Sequence, residues 1–94
     1  MAWTIEFKNK CLKFLDRQDA DFQNRVRDSL NKLLRYLNNG VFPFGEMDIK
    51  QLHGKMNGYM RLRVGKIRLI FKVVFDMKKV KIHTIDYRGD VYKK

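Results

Sequence analysis

The sequence predicts an α+β fold in the order β-α-α-β-β-β, with two helices on the apolar face of one antiparallel sheet and an open basic face opposite. Three observations predict it. "WTIEF" near the start alternates strictly between apolar and polar residues. From Cys11 to Leu37 the apolar residues recur instead at steps of three and four. The last third, "YMRLRVGKIRLIFKV" and then "VKIHTI", returns to alternation. A chain of 94 residues can bury one modest core, so residues 1–94 are expected to form a single domain. Its 45% hydrophobic content is that of a globular domain and too rich for a disordered one.

Each element has a local cause. Trp3, Ile5 and Phe7 lie on one side of the first strand, Thr4 and Glu6 on the other. Cys11, Leu12, Phe14 and Leu15 are spaced for one face of a short helix. Asp19 or Asp21 can cap the next helix by accepting hydrogen bonds from its free N–H groups. Phe22, Val26, Leu30, Leu33, Leu34 and Leu37 give that second helix the strongest helical signal in the chain. "NNG" ends it, Gly40 being free to take the left-handed conformation. Residues 41–58 read as a connector without period, pinned by Ile49 and Leu52.

A hairpin follows. Gly65 and Lys66 suit a two-residue type II′ loop. Folding about that loop pairs Val64 with Ile67, Arg63 with Arg68, and Leu62 with Leu69. Met60, Leu62, Val64, Ile67, Leu69, Phe71, Val73 and Phe75 then share one face. Arg61, Arg63, Arg68 and Lys72 share the other, with Ile70 and Val74. "DMKK" turns the chain into a third antiparallel strand, where Val80 and Ile82 alternate with Lys81 and His83.

Charge narrows the function classes. There are 21 Lys plus Arg against 10 Asp plus Glu, a net +11 at pH 7. That excess implies an anionic partner: nucleic acid, an acidic protein or an anionic membrane. The membrane is the weakest of these, because no apolar run approaches the roughly 18 residues of a spanning helix. The N-terminus shows no secretory signal, and the expected location is the cytoplasm. The single Cys11 reads as a small buried hydrophobe.

A charged sheet face is ordinarily no more than a solvated one. That reading suits scattered lysines such as Lys78 and Lys79. It suits the arginine cluster less well, since like charges directly opposed across strands destabilise a sheet. Arginine presents a planar fork of donors that fits phosphate oxygens. His83 can serve as a general base, although a lone strand histidine is more often structural, and His53 in the connector is ambiguous for the same reason. Two histidines and one cysteine at wide spacing make no metal site. There is no phosphate-binding GxxxxGK[ST] loop and no recognisable nucleophile set.

"GYMRLRVGKIRLIFKV" followed by "IDYRGDVYKK" resembles the RelE/ParE toxin superfamily, and within it the RelE branch. "LHG" at 52–54 and the opening "WTIEFKNKCLKFL" fit the same pattern, so the resemblance covers nearly the whole chain. It implies the RelE-like microbial RNase fold. It also implies the toxin of a type II toxin–antitoxin pair: a ribosome-dependent endoribonuclease (an mRNA interferase) that needs no metal or cofactor. Such an enzyme cuts mRNA in the ribosomal A site and so inhibits translation. The 2′-hydroxyl attacks the adjacent phosphate, leaving a cyclic phosphate and a 5′-hydroxyl. The implied partners are the ribosome, mRNA and an acidic antitoxin.

By the same resemblance Arg61 binds phosphate and Arg68 holds the scissile one. Arg88 protonates or stabilises the leaving oxygen, and Tyr92 stacks on the base. Tyr59 stands where some members carry a lysine credited as general base, and Tyr87 where many carry histidine. The base is therefore Tyr59 or Lys55, swung in from the connector. Lys55, Arg63, Lys72, Lys81, His83 and Tyr87 complete the expected RNA-binding set. The alternative is a ParE-type, non-enzymatic inhibitor of DNA gyrase, and a simple RNA-binding module is the third reading. On any of them the arginines are expected to lack counter-charges within this chain.

Overall fold

A computed structural model of the chain describes residues 2–87; Arg88 and Tyr92 lie outside the described residues. The elements are β1 (Thr4–Phe7), α1 (Asn9–Asp16), α2 (Ala20–Asn38), β2 (Ile49–Gln51), β3 (Met60–Val64), β4 (Ile67–Val74) and β5 (Lys79–Tyr87). A short 3-10 turn, Gly54–Met56, lies between β2 and β3. The strands form one five-stranded sheet in the order β1-β5-β4-β3-β2. The expected α+β fold with two helices is present, but the sheet is mixed rather than antiparallel, because β1 runs parallel to β5. A pairing between the two ends of the described chain leaves no local trace in the sequence.

The helix boundaries follow capping chemistry. Of the two candidate caps it is Asp19 that acts: its Oδ1 accepts the Phe22 N–H at 2.9 Å. α2 closes with Gly40 at φ 77°. The Gly40 N–H donates to Leu37 O and the Val41 N–H to Tyr36 O, the paired bonds of a Schellman motif. Phe22, Val26, Leu30, Leu33 and Leu37 are all buried. In α1, Cys11 is buried while Leu12 is 45% exposed. The face that α1 turns inward is centred on Cys11 and its neighbours three and four residues on, which leaves Leu12 at the edge.

The hairpin register is the expected one: Val64↔Ile67, Arg63↔Arg68 and Leu62↔Leu69. Gly65 has φ 59° and Lys66 does not share the positive value, the pattern of a type II′ turn. Leu62, Leu69, Phe71, Val80 and Ile82, each at most 1% exposed, meet the buried stripe of α2 in a single core. Burial of each such side chain stabilises the fold by roughly 1.5–3 kcal/mol.

Three departures shape the rest of the molecule. First, the connector contains β2, whose Ile49, Lys50 and Gln51 pair with Leu62, Arg61 and Met60; a strand of 3 residues is too short to show a period. Second, Phe75 lies past the end of β4 and is 63% exposed, not part of the inner face; its ring meets Trp3 edge-on at 5.7 Å. Third, the β4–β5 register slips between Ile70↔Thr84 and Phe71↔Ile82. His83 is the extra residue, so His83 and Thr84 together oppose Ile70 as a β-bulge. The slip reverses the alternation beyond it, and both Ile82 and Ile85 reach the core.

Candidate functional site

The outer face of the sheet gathers most of the residues singled out from the sequence. Three rows cross it. Asp86, Arg68 and Arg63 form one. His83 with Thr84, then Ile70, Arg61 and Lys50, form the second. Glu6, Lys81 and Lys72 form the third. Arg63 faces Arg68, Lys50 faces Arg61, and Lys81 faces Lys72. Like charges thus stand directly opposite each other three times over, an arrangement that costs sheet stability.

The counter-charges expected to lie outside the chain are partly within it. Asp86 takes Arg68 with two oxygens, accepting from Nε at 3.2 Å and from Nη2 at 2.8 Å. Asp48 accepts from Arg61 Nη2 at 2.9 Å, and its main-chain oxygen accepts the Arg63 N–H at 3.0 Å. Glu6 reaches Lys79 at 3.1 Å and Lys81 at 3.9 Å. The Lys79 ammonium, by hydrogen bond and charge, holds the Glu6 carboxyl below its ordinary value. Sequence reading missed Asp48, Asp86 and Glu6 as partners, because each pairing depends on register. The one available signal was the spacing of Ile82 and Ile85, which breaks alternation and marks the bulge.

That bulge decides which side chains join the face. Without it, residues 83, 85 and 87 would point outward together. With it, Thr84 and Asp86 come outward, and Tyr87 turns toward the helices, its ring 5.9 Å from that of Phe22. Tyr87, expected in the RNA-binding set, is therefore not part of the basic face. Lys55 lies exposed on the 3-10 turn and does not line the hollow described next.

Arg61 is the most enclosed of the cations, its side chain only 11% exposed, beside Ile70 at 8%. Its buried Nε has no hydrogen-bond partner among the described residues. A buried donor left unmet costs about 1–3 kcal/mol. Next to this row lies a hollow of about 160 Å³, lined by Glu6, Lys8, Tyr59, Lys72, Lys81 and His83. Lys72 Nζ stands 5.7 Å from the centre of the Tyr59 ring. Tyr59 and His83 meet edge to face at 5.1 Å. His83 Nδ1 and Thr84 Oγ1 are 2.8 Å apart. Burial first, then the charges of Lys8 and Lys10, lowers the His83 pKa below its ordinary value. Larger hollows of about 420 and 320 Å³ lie off this face, at Trp3 and Phe75 and at Tyr87 beside the start of α2; neither gathers the arginine rows. Among the described residues no cluster of His, Cys, Asp and Glu could hold a metal ion. Burial raises the Cys11 thiol's pKa, as suits a packing residue.

No family model matches the chain. A curated protein of Methanocaldococcus jannaschii, provisionally named toxin RelE1, is 30% identical over 93 residues, spanning 99% of this chain and 98% of that one. The chain belongs to the RelE toxin family. It is a RelE-type toxin of a toxin–antitoxin pair. Solved structures agree on the fold. The RelE–RelB complex of Pyrococcus horikoshii matches this RelE-family chain at TM-score 0.74, with 23% identity over 95% of this chain and 98% of that one. The RelBE2 complex of Mycobacterium tuberculosis matches at 0.73, with 19% identity over 94% and 100%. Among the described residues, no helix is long and apolar enough to cross a membrane.

Proposed function

We propose that this RelE-family toxin is a metal-independent endoribonuclease that cleaves mRNA in the ribosomal A site and so inhibits translation in the cytoplasm. The observation that carries the reading is the placement of Arg61 and Arg68 on one face of the sheet. Their guanidiniums are held in place by Asp48 and Asp86 beside a cationic hollow. In-line attack of a 2′-hydroxyl on phosphorus requires placement of the phosphate and neutralisation of the charge that builds on it. Arg61 and Arg68 supply both, and Arg63, Lys72 and Lys81 extend the positive track along which an RNA strand lies. Lys55 extends that track from the connector. The resemblance gives Arg88 and Tyr92 the leaving-group and base-stacking roles.

An acidic antitoxin is the expected second partner. The P. horikoshii, M. tuberculosis and M. jannaschii structures are toxin–antitoxin complexes, and a chain of net charge +11 favours an acidic segment laid over its basic face.

The test is cleavage of a messenger on purified ribosomes with an empty A site, wild type beside Arg68→Ala. The expected result is cleavage within the A-site codon, reduced about 10²–10³-fold in the variant, the range for loss of one charge-stabilising donor. EDTA at concentrations that leave the ribosome intact should not reduce it. A folded, growth-inhibiting protein that cuts no messenger would refute this reading and turn attention to gyrase.

A further inference from the structure

Resting on the RNase reading above, we infer that His83 is the general base of the reaction: its imidazole, held in orientation by Thr84, accepts the proton of the attacking 2′-hydroxyl. The bulge makes this possible. In regular alternation only one of residues 83 and 84 would face outward; here both oppose Ile70 on the outer face. The histidine thereby gains a neighbour on its own strand, with Nδ1 and Thr84 Oγ1 2.8 Å apart. The Tyr59 ring lies edge-on to the imidazole at 5.1 Å and restricts its rotation. Nε2 has no hydrogen-bond partner among the described residues, so it is the nitrogen a substrate can meet.

Placement relative to the phosphate site also fits. His83 and Arg61 lie in one row with Ile70 between them. Two strand spacings separate their main chains, about 10 Å. A phosphate and its ribose are of a size to span that gap. The alternatives are less well placed. Lys55 does not line the hollow. Tyr59 lines it with its ring between Lys72 and His83, which suits a wall that orients the histidine.

The proton inventory closes. With Nδ1–H donating to Thr84 Oγ1, Nε2 holds a lone pair. It takes the 2′-hydroxyl proton as the 2′-oxygen forms its bond to phosphorus. The bond from phosphorus to the 5′-oxygen breaks, and the 5′-oxygen leaves with the electron pair and gains a proton from water. The imidazolium then releases its proton to solvent. The groups facing His83 are Glu6 on β1, Lys8 and Lys10 at the start of α1, Tyr59 ahead of β3, Lys72 on β4 and Lys81 on β5. Glu6, the one carboxylate among them, is already engaged by Lys79 and Lys81. The surroundings thus keep the imidazole neutral and able to accept a proton at pH 7.

The experiment is single-turnover cleavage in the ribosome assay from about pH 5 to pH 9 for wild type, His83→Ala, His83→Gln, Thr84→Val and Thr84→Ser, with RNA affinity and melting temperature measured alongside. The wild-type rate should rise with pH, bend below the ordinary histidine pKa of about 6.5 and level off. His83→Ala should be slower by about 10²–10⁴-fold at saturating toxin, lose the rising limb and regain activity with added imidazole. Thr84→Val should move the limb and Thr84→Ser restore it, which loss of packing alone would not do. A folded His83→Ala protein with wild-type rate and limb would overturn the assignment while leaving the RNase reading standing. If His83→Ala does not fold, His83→Gln decides by the same criteria. A folded wild type that cuts nothing at any pH would overturn the RNase reading and this assignment together.

Discussion

On the inner face of the sheet, Leu69 lies between Leu62 and Ile85 in the ladder, all three at 5% exposure or less. On the outer face the same strands set Arg63 against Arg68 and Lys72 against Lys81. Apolar neighbours are satisfied by contact alone, and each added row strengthens the last. Charged neighbours of one sign need a third group. This chain supplies it from the margins: Asp48 from the connector, Asp86 beyond the bulge and Glu6 from the edge strand. The difference teaches that the cationic face is pre-organised, with its arginine forks aimed before any ligand arrives. It teaches equally that a phosphate must compete with carboxylates to be bound.

The sharpest way to break the comparison is to damage the inner face. Phe71 is fully buried, and Phe71→Ala should cost about 3–5 kcal/mol in urea unfolding. That is a large share of the stability of so small a domain, and any activity should fall only as the folded fraction falls. On the outer face the signs divide. Asp86→Asn removes the carboxylate that Arg68 grips, in a pair that is roughly one-third exposed. Stability should fall by about 0.2–1 kcal/mol, while RNA binding should tighten, and more so at low salt, because the ligand no longer displaces a fixed anion. Weaker RNA binding by a folded Asp86→Asn protein would show that orienting Arg68 matters more than freeing it.

The smallest expected effect is on acid stability. The pKa of Glu6 is depressed in the folded state by Lys79. Its stabilising contribution is therefore present above the ordinary carboxylate pKa and lost as pH falls through the lowered one. His83, also depressed, acts in the same direction nearer neutrality: stability falls as pH drops through about 6.5 toward the folded-state value. Melting temperatures from about pH 7 down to pH 3 should show Glu6→Gln losing less than wild type. Equal losses would mean that the exposed pair contributes nothing measurable.

The sequence carried the features that rest on near neighbours. Hairpin register, the glycine turn, a cap from Asp19 or Asp21 and the α2 stripe are all decided within a few residues. Register and turn appear as read, Asp19 is the cap, and the stripe is buried except at Leu34, which is only half-buried. Pairing between distant segments was not legible, so β1 beside β5 and the three residues of β2 emerged only in the structure. The candidate site divides the same way. Arg61, Arg63, Arg68, Lys72, Lys81 and His83 were placed on one face by alternation alone. Asp86 and Tyr87 were not, because one inserted residue reverses every side chain after it. Leu12 and Phe75 share a further cause: an apolar residue at the margin of an element has the period of the core without its cover.

The parallel pairing of β1 with β5 bears on the order of events during synthesis. β1 precedes every other element of the described sheet, yet its hydrogen-bonding partner is the last strand of that sheet. Such non-local pairing brings loop-closure entropy forward and slows folding. Until β5 has been made, β4 lacks a neighbour on one side and β1 lacks one altogether, while the helices have half a sheet to cover. The outer rows of His83, Thr84, Asp86, Arg68 and Arg61 cannot assemble either, since each crosses β5. The outer-face site therefore comes into being only when β5 docks between β1 and β4, as the closing step of sheet assembly.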